Sequence, residues 1–174
     1  MRKQKGFSLI ELLIVVAIIL IIAAIAIPNL LRARMAANES SAVGSVRTLN
    51  TAEITYDTTY PTVGFQQTLA DLGGALGAVC TPSSATACLV DSVLANNGSP
   101  AGSGKSGYLF SIPAGAAQAG GVYVQYDINA IPITVNQTGI RAFCAVEDAV
   151  VRVQPTGAAP GAEAACQVLN PLNQ

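Results

Sequence analysis

Hydrophobic and polar positions divide this chain into three regimes. Every residue from Leu12 to Ile27 is apolar. With Phe7–Ile10 added, the run reaches about 20 residues, enough for a membrane-spanning helix. One carboxylate, Glu11, sits near its start. Beyond Pro28, Ala33, Ala37, Ser40, Val43, Val46, Leu49, Ala52 and Tyr56 recur at steps of three and four, the spacing of an amphipathic helix with a narrow stripe of small residues. Glu39, Arg47, Asn50 and Glu53 are expected on the other face, towards neighbours or water. From Tyr108 the period changes to that of strands.

The two helical regimes read as one helix from Phe7 to about Asp57. Ser8 and Glu11 have capping-box spacing, so one role for Glu11 is local. A cap does not need to lie in a lipid-embedded turn, however. A charge there costs roughly 2.5–3.5 kcal/mol on insertion scales and marks a functional site by default. Pro28 removes a backbone hydrogen bond and is expected to kink the helix; a helix end there, with a second helix from Asn29, is the alternative. Pro61 disfavours helix at Tyr60.

Short helical turns are expected over Gln67–Leu72 and Ser92–Asn97. Strands are expected at Tyr108–Ile112, Val122–Ile128, Ile140–Val146 and Val150–Gln154. Val122, Val124, Tyr126 and Ile128 would share one face, and Pro132 would confine Ile131–Val135 to an edge or irregular role. Asn136–Gly139 reads as a turn. Consecutive strands with short connections form an antiparallel meander, whose apolar face the helix stripe can cover. The fold class is α+β.

Charge sharpens this picture. The chain has 174 residues, 51% of them hydrophobic and 11% charged. Arg2, Lys3 and Lys5 precede the apolar run and stay cytoplasmic by the positive-inside rule, so the rest crosses outward. Over 57–174, three cations (Lys105, Arg141, Arg152) face seven acids. That acidic part is poorly suited to phosphate neutralisation, and no nucleic-acid binding is expected of it. Cys80, Cys88, Cys144 and Cys166 all follow the apolar run; an even count in an exported domain suggests two disulfides. A loop closed between Cys80 and Cys88 is expected, and Cys144–Cys166 would staple the tail to the sheet, although four cysteines allow three pairings.

Other chemistry finds little support. There is no His, hence no Ser-His-Asp triad, and no cofactor is expected. The Gly98–Gly104 stretch before Lys105-Ser106 is linker composition rather than a phosphate-binding loop. Asp127, Glu147 and Asp148 lack recognisable calcium spacing and read as solvated turn acids; no metal site is expected. The glycosylation patterns at Asn38, Asn97 and Asn136 are attributed to chance in a Ser/Thr-rich chain. Ordinary signal-peptide cleavage after Ala26 is opposed by the length of the run, by Glu11, and by the helical pattern continuing past it.

Arg2-Lys3-Gln4-Lys5-Gly6 followed by Phe7-Ser8-Leu9-Ile10-Glu11-Leu12 resembles the processing signal of type IV pilins and their pseudopilin relatives, closely over the first third of the chain and loosely beyond. The resemblance implies a type IV pilin fold, cleavage between Gly6 and Phe7 by a prepilin peptidase, N-methylation of Phe7, and a contact between Glu11 and the Phe7 amine of a neighbouring copy. It implies the segments 1–6 (leader), 7–31 (transmembrane and filament-core helix), 32–57 (amphipathic continuation), 58–107 (αβ-loop region) and 108–174 (sheet and C-terminal disulfide loop). It implies a homopolymer served by an assembly ATPase and a platform protein, with an inner-membrane precursor that becomes an extracellular filament for adhesion, twitching motility or DNA uptake. The alternatives are a type II secretion pseudopilin, which usually carries an Asp-Pro-Trp-Gly-like stretch absent here, and a membrane-anchored binding domain that never polymerises.

Overall fold

The structure is a computed structural model, described over residues 7–113 and 120–172. The chain divides into two compact units, Met1–Arg34 and Met35–Gln174.

The described part of the first unit is helical. Helix α1 runs Leu9–Thr59, continuous through Pro28. No helix end falls at Pro28, which excludes the two-helix alternative. Of the residues from Phe7 to Arg34, all but Ala23 are exposed. The apolar run therefore has no cover among the described residues, and it is long and apolar enough to cross a membrane. A continuous apolar surface of this size marks a membrane or protein contact.

In the second unit, α1 contributes Val43, Val46, Leu49, Ala52 and Tyr56 to the core. After it come two single-turn helices, α2 (Leu69–Leu72) and α3 (Ser92–Ala95), capped by the Thr68 and Asp91 side chains. Strands β1 (Tyr108–Ser111), β2 (Asp127–Pro132), β3 (Ala142–Val146) and β4 (Arg152–Gln154) follow, then α4 (Glu163–Gln167) and the two-residue β5 (Asn170–Pro171). The sheet is an antiparallel meander in the order β1-β2-β3-β4-β5. The α+β architecture read from the sequence is the one observed.

Strand alternation sorts the two sheet faces. Phe110, Ile128, Ala130, Phe143, Ala145 and Val153 pack with the α1 stripe. Cys144 and Val146 point the other way and pack with Cys166 of α4 and with Leu169. The head thus has three layers: α1, sheet, and the C-terminal segment carrying α4. Disulfides join Cys80 to Cys88 and Cys144 to Cys166, the second tying α4 to β3. Its 22-residue separation corresponds to about 3 kcal/mol in the loop-entropy picture. The double variant Cys144→Ser/Cys166→Ser is expected to lose that much in denaturant unfolding of the full chain in detergent, read by tyrosine fluorescence.

Two expectations are corrected. The strand foreseen over Val122–Ile128 begins at Asp127. Upstream, Tyr123 instead bridges to Gly64, its amide donating to Val63 O (2.9 Å) and its carbonyl accepting from Phe65 N (2.9 Å). Gly64 has φ +80°, and a Cβ there would come within 2.0 Å of Tyr123 O, so only glycine allows this approach. Secondly, Ile131 and Pro132 belong to β2, which lies between β1 and β3; Pro132 is tolerated as its last residue, and only the stretch after it is irregular.

Candidate assembly site

The helix start holds the first group of candidate residues. Phe7 is 85% exposed. Glu11 lies in the first turn of α1 and accepts a hydrogen bond from Ser8 N at 2.8 Å, one arm of a capping box. Capping uses Glu11 as an acceptor but leaves its charge unanswered. No ion pair involves Glu11 among the described residues. Gly6, the residue before the expected cut, lies outside the described residues. A carboxylate one helical turn from Phe7, on an apolar helix with no cover, is an ion in search of a cation in a low-dielectric setting, where an unpaired charge is costly.

The second group lies on the head part of α1, and here the sequence reading was wrong. Glu39, Asn50 and Glu53 are not on the outward face; all three are buried. Glu39 receives the Ile140 amide (2.9 Å), the Arg141 amide (3.1 Å) and the Arg141 guanidinium (2.9 and 2.6 Å). Burial alone would raise its pKa, but these donors outweigh it and hold the carboxyl below its ordinary value. Asn50 donates to Ala149 O at 3.3 Å. Glu53 is wholly buried and accepts the Gln66 amide at 2.8 Å through one oxygen; its other oxygen has no partner. Burial pushes its pKa up to about 8, against the Gln66 hydrogen bond and helped by Asp57. These residues tie the helix to segments 13 to 102 residues away. Glu39, Val46 and Glu53 are seven residues apart, so the core stripe itself carried the signal, masked by charge.

Asp127 is also corrected: it is not a solvated turn acid but a buried residue of β2. Burial raises its pKa to about 6, against an Asn129 hydrogen bond and helped by Glu163 and Glu147. No group of three or more metal-ligating side chains occurs among the described residues. Arg32 and Arg34, which follow the apolar run, are exposed.

Comparison with known proteins bears on the first group. The prokaryotic N-terminal methylation motif matches residues 1–27, the span holding Gly6, Phe7, Glu11 and the apolar run. A type IV wide pilus major component, PilA4 of Thermus thermophilus, is 68% identical over 40 residues, covering 23% of this chain and 30% of that protein. This N-terminal segment is thus similar to that of type IV pilins. The type IV major pilin PilA of Myxococcus xanthus is 49% identical over 51 residues, 29% of this chain and 23% of the relative. The similarity extends more widely: type II secretion system core protein G of Vibrio cholerae is 40% identical over 65 residues, 36% of this chain and 44% of that one. The match thus spans less than half the length of each of these relatives. No solved structure matches the chain. The long apolar helix and small antiparallel sheet are consistent with the α+β type IV pilin fold.

Proposed function

We propose that this chain is a structural subunit that polymerises into a type IV pilus filament. The observation that carries the reading is a bare apolar helix with an unpaired Glu11 one turn from Phe7. Before assembly the helix resides in the inner membrane, with the basic leader on the cytoplasmic side. A prepilin peptidase removes residues 1–6 and leaves a methylated amine on Phe7. Helices of many copies then leave lipid and bundle, keeping their apolar surface dry. Glu11 of one copy meets the Phe7 amine of the next, which offsets the cost of a buried carboxylate and sets axial register. An assembly ATPase and a platform protein drive extraction from the membrane, and the finished filament is extracellular. The role is structural rather than catalytic.

Mass spectrometry of sheared surface fibres tests export, processing and polymerisation together. The expected mature chain begins at Phe7 and carries one added methyl group; a start at Ile27, or fibres lacking this polypeptide, would overturn the reading.

The match to a type II secretion core protein supports a second reading, a pseudopilin. Deleting the gene separates the two. Loss of long surface fibres supports the pilus; intact fibres with failed export of secreted enzymes support the pseudopilin.

A further inference from the structure

The head has two ends, and its charges and exposed apolar side chains tell them apart. α1 enters the head at Met35 and runs along the sheet. Asn38 donates to Thr138 O (2.8 Å) and Glu39 accepts from Ile140 N (2.9 Å). Asn50, about three turns on, donates to Ala149 O (3.3 Å). Antiparallel pairing then assigns each connection to an end. The turn 104–107 before β1, the loop 133–141 between β2 and β3 and the segment 155–158 after β4 gather where the helix enters. Contacts agree: a Cβ on Gly107 would come within 2.9 Å of Asn38 Nδ2, and one on Gly157 within 2.6 Å of Ile140 O and 3.0 Å of Val135 Cγ2. The start of β2 and the turn 147–151 between β3 and β4 lie at the far end.

None of the three connections at the entry end contains Asp or Glu. Its cations, Lys105 and Arg141, are answered by Asp91 and by buried Glu39. The far end holds Asp127, Glu147 and Asp148. Exposed apolar side chains collect at the entry end instead: Ile133, Val135 and Ile140, all on the loop between β2 and β3, are 44%, 41% and 45% exposed. Thr134, Asn136 and Gln137, interleaved with them, are exposed too. Chain continuity says what meets this surface. Leu31 is the last apolar residue before Arg32, and Asn38 follows it by seven residues, about 10 Å of helix. The headgroup zone beyond the hydrocarbon is itself roughly 5–7 Å deep on each side. Apolar side chains interleaved with hydroxyl and amide groups suit that zone, where acyl chains and water are both within reach. Carboxylates would be repelled there by anionic headgroups within a Debye length.

We propose that, in the membrane-resident precursor, the entry end of the head lies on the lipid surface, with Ile133, Val135 and Ile140 in the boundary between headgroups and acyl chains and the acidic far end directed to water. The contact rests on the reading of the apolar run as a membrane span. It adds to that reading a docked orientation of the head, which ends when the helix leaves lipid.

The chain has no Trp, so a single introduced indole reports on its own surroundings. Full-length chains carrying Val135→Trp, Ile133→Trp, Val150→Trp at the far end or Val16→Trp in the apolar run are reconstituted separately. The vesicles are of phosphatidylethanolamine and phosphatidylglycerol with brominated acyl chains, which quench tryptophan on contact, and are loaded sparsely enough that chains do not meet. Bromolipid is expected to quench Val135→Trp and Ile133→Trp about threefold or more strongly than Val150→Trp, as side chains at the acyl boundary require. With Val16→Trp quenched, equal quenching at 135 and 150, or none at both 133 and 135, would overturn the proposal and leave the membrane span standing. An indole at 16 that escapes quenching would remove the span and the proposal together. A shift in emission at 135 that appears only at high protein density, without quenching by lipid, would assign this surface to a second copy and overturn the proposal as well.

Discussion

Replacing Glu11 by Ala is expected to reduce surface fibres about a hundredfold or more, while the subunit accumulates undiminished in the membrane. The two halves of this result have different causes. In lipid the lone carboxylate costs roughly 2.5–3.5 kcal/mol, so its removal favours residence of the helix there. On the proposed assembly, the same change in the filament would strand the Phe7 amine of the neighbouring copy. Removing one partner of a buried pair costs about 3–5 kcal/mol, and each 1.4 kcal/mol is tenfold in an equilibrium constant. Glu11→Gln separates pairing from capping. Glutamine still accepts from Ser8 N, the bond Glu11 makes at 2.8 Å, but carries no charge. If charge pairing is the function, fibres fall with Gln as they do with Ala. Normal fibres from Glu11→Gln would mean that the residue serves as a helix cap and that the electrostatic account is wrong. Fibre yield after shearing, set against membrane content by immunoblot, reads both.

The second large effect concerns the pH dependence of the head. Glu53 is wholly buried and its pKa is raised from 4.5 to about 8. The fold therefore holds a proton on Glu53 that the unfolded chain releases above about pH 4.5. Stability from this group is fully present below that pH, declines as pH rises, and is lost by about pH 8, with no further change above. At about 1.36 kcal/mol per pH unit the full effect is on the order of a few kcal/mol. Asp127, raised to about 6, adds a smaller decline in the same direction between about pH 4 and 6. Glu39, Asp91 and Asp148, whose pKa values are lowered, act oppositely, and only in more acid solution. Denaturant midpoints are thus expected to be higher at pH 5 than at pH 9. Glu53→Gln should remove most of the difference between pH 6 and 9. It keeps an acceptor for Gln66 N, now bonded at 2.8 Å, and replaces the protonated oxygen by an NH₂ group. A wild-type midpoint that does not change from pH 5 to 9 would contradict this assignment.

Glu53 also shows where the sequence stops being informative. The stripe Val43, Val46, Leu49, Ala52 and Tyr56 was legible because helical period and apolar side chains agree, and all five are buried. Ala33, Ala37 and Ser40, assigned to the same stripe, are exposed, because residues 133 to 172 reach the helix only from about Asn38 onward, where its side chain meets Thr138 O. Glu39 and Glu53 lie on the buried face in the same seven-residue phase as Val46, yet their charge argued for water. What reverses that argument is the arrival of donors: the amides of Ile140, Arg141 and Gln66, and the Arg141 guanidinium. No local pattern can announce a partner 101 residues away.

The same logic separates β1, β3 and β4, each legible to within a few residues, from the displaced β2. Val122–Tyr126 alternates as a strand should, but its hydrogen bonds go to the Gly64 loop. Asp127 and Asn129 are polar and nonetheless lie in the sheet, because the disulfide-tied C-terminal segment covers that face and Gly161 O accepts from Asn129. By itself the sequence determined what depends on neighbours in the chain: the apolar run with Glu11 near its start, the long helix and the order of the meander. Only the tertiary structure decided which charges are buried and which remain unpaired, because burying a polar group is tolerable only when distant segments supply its hydrogen bonds.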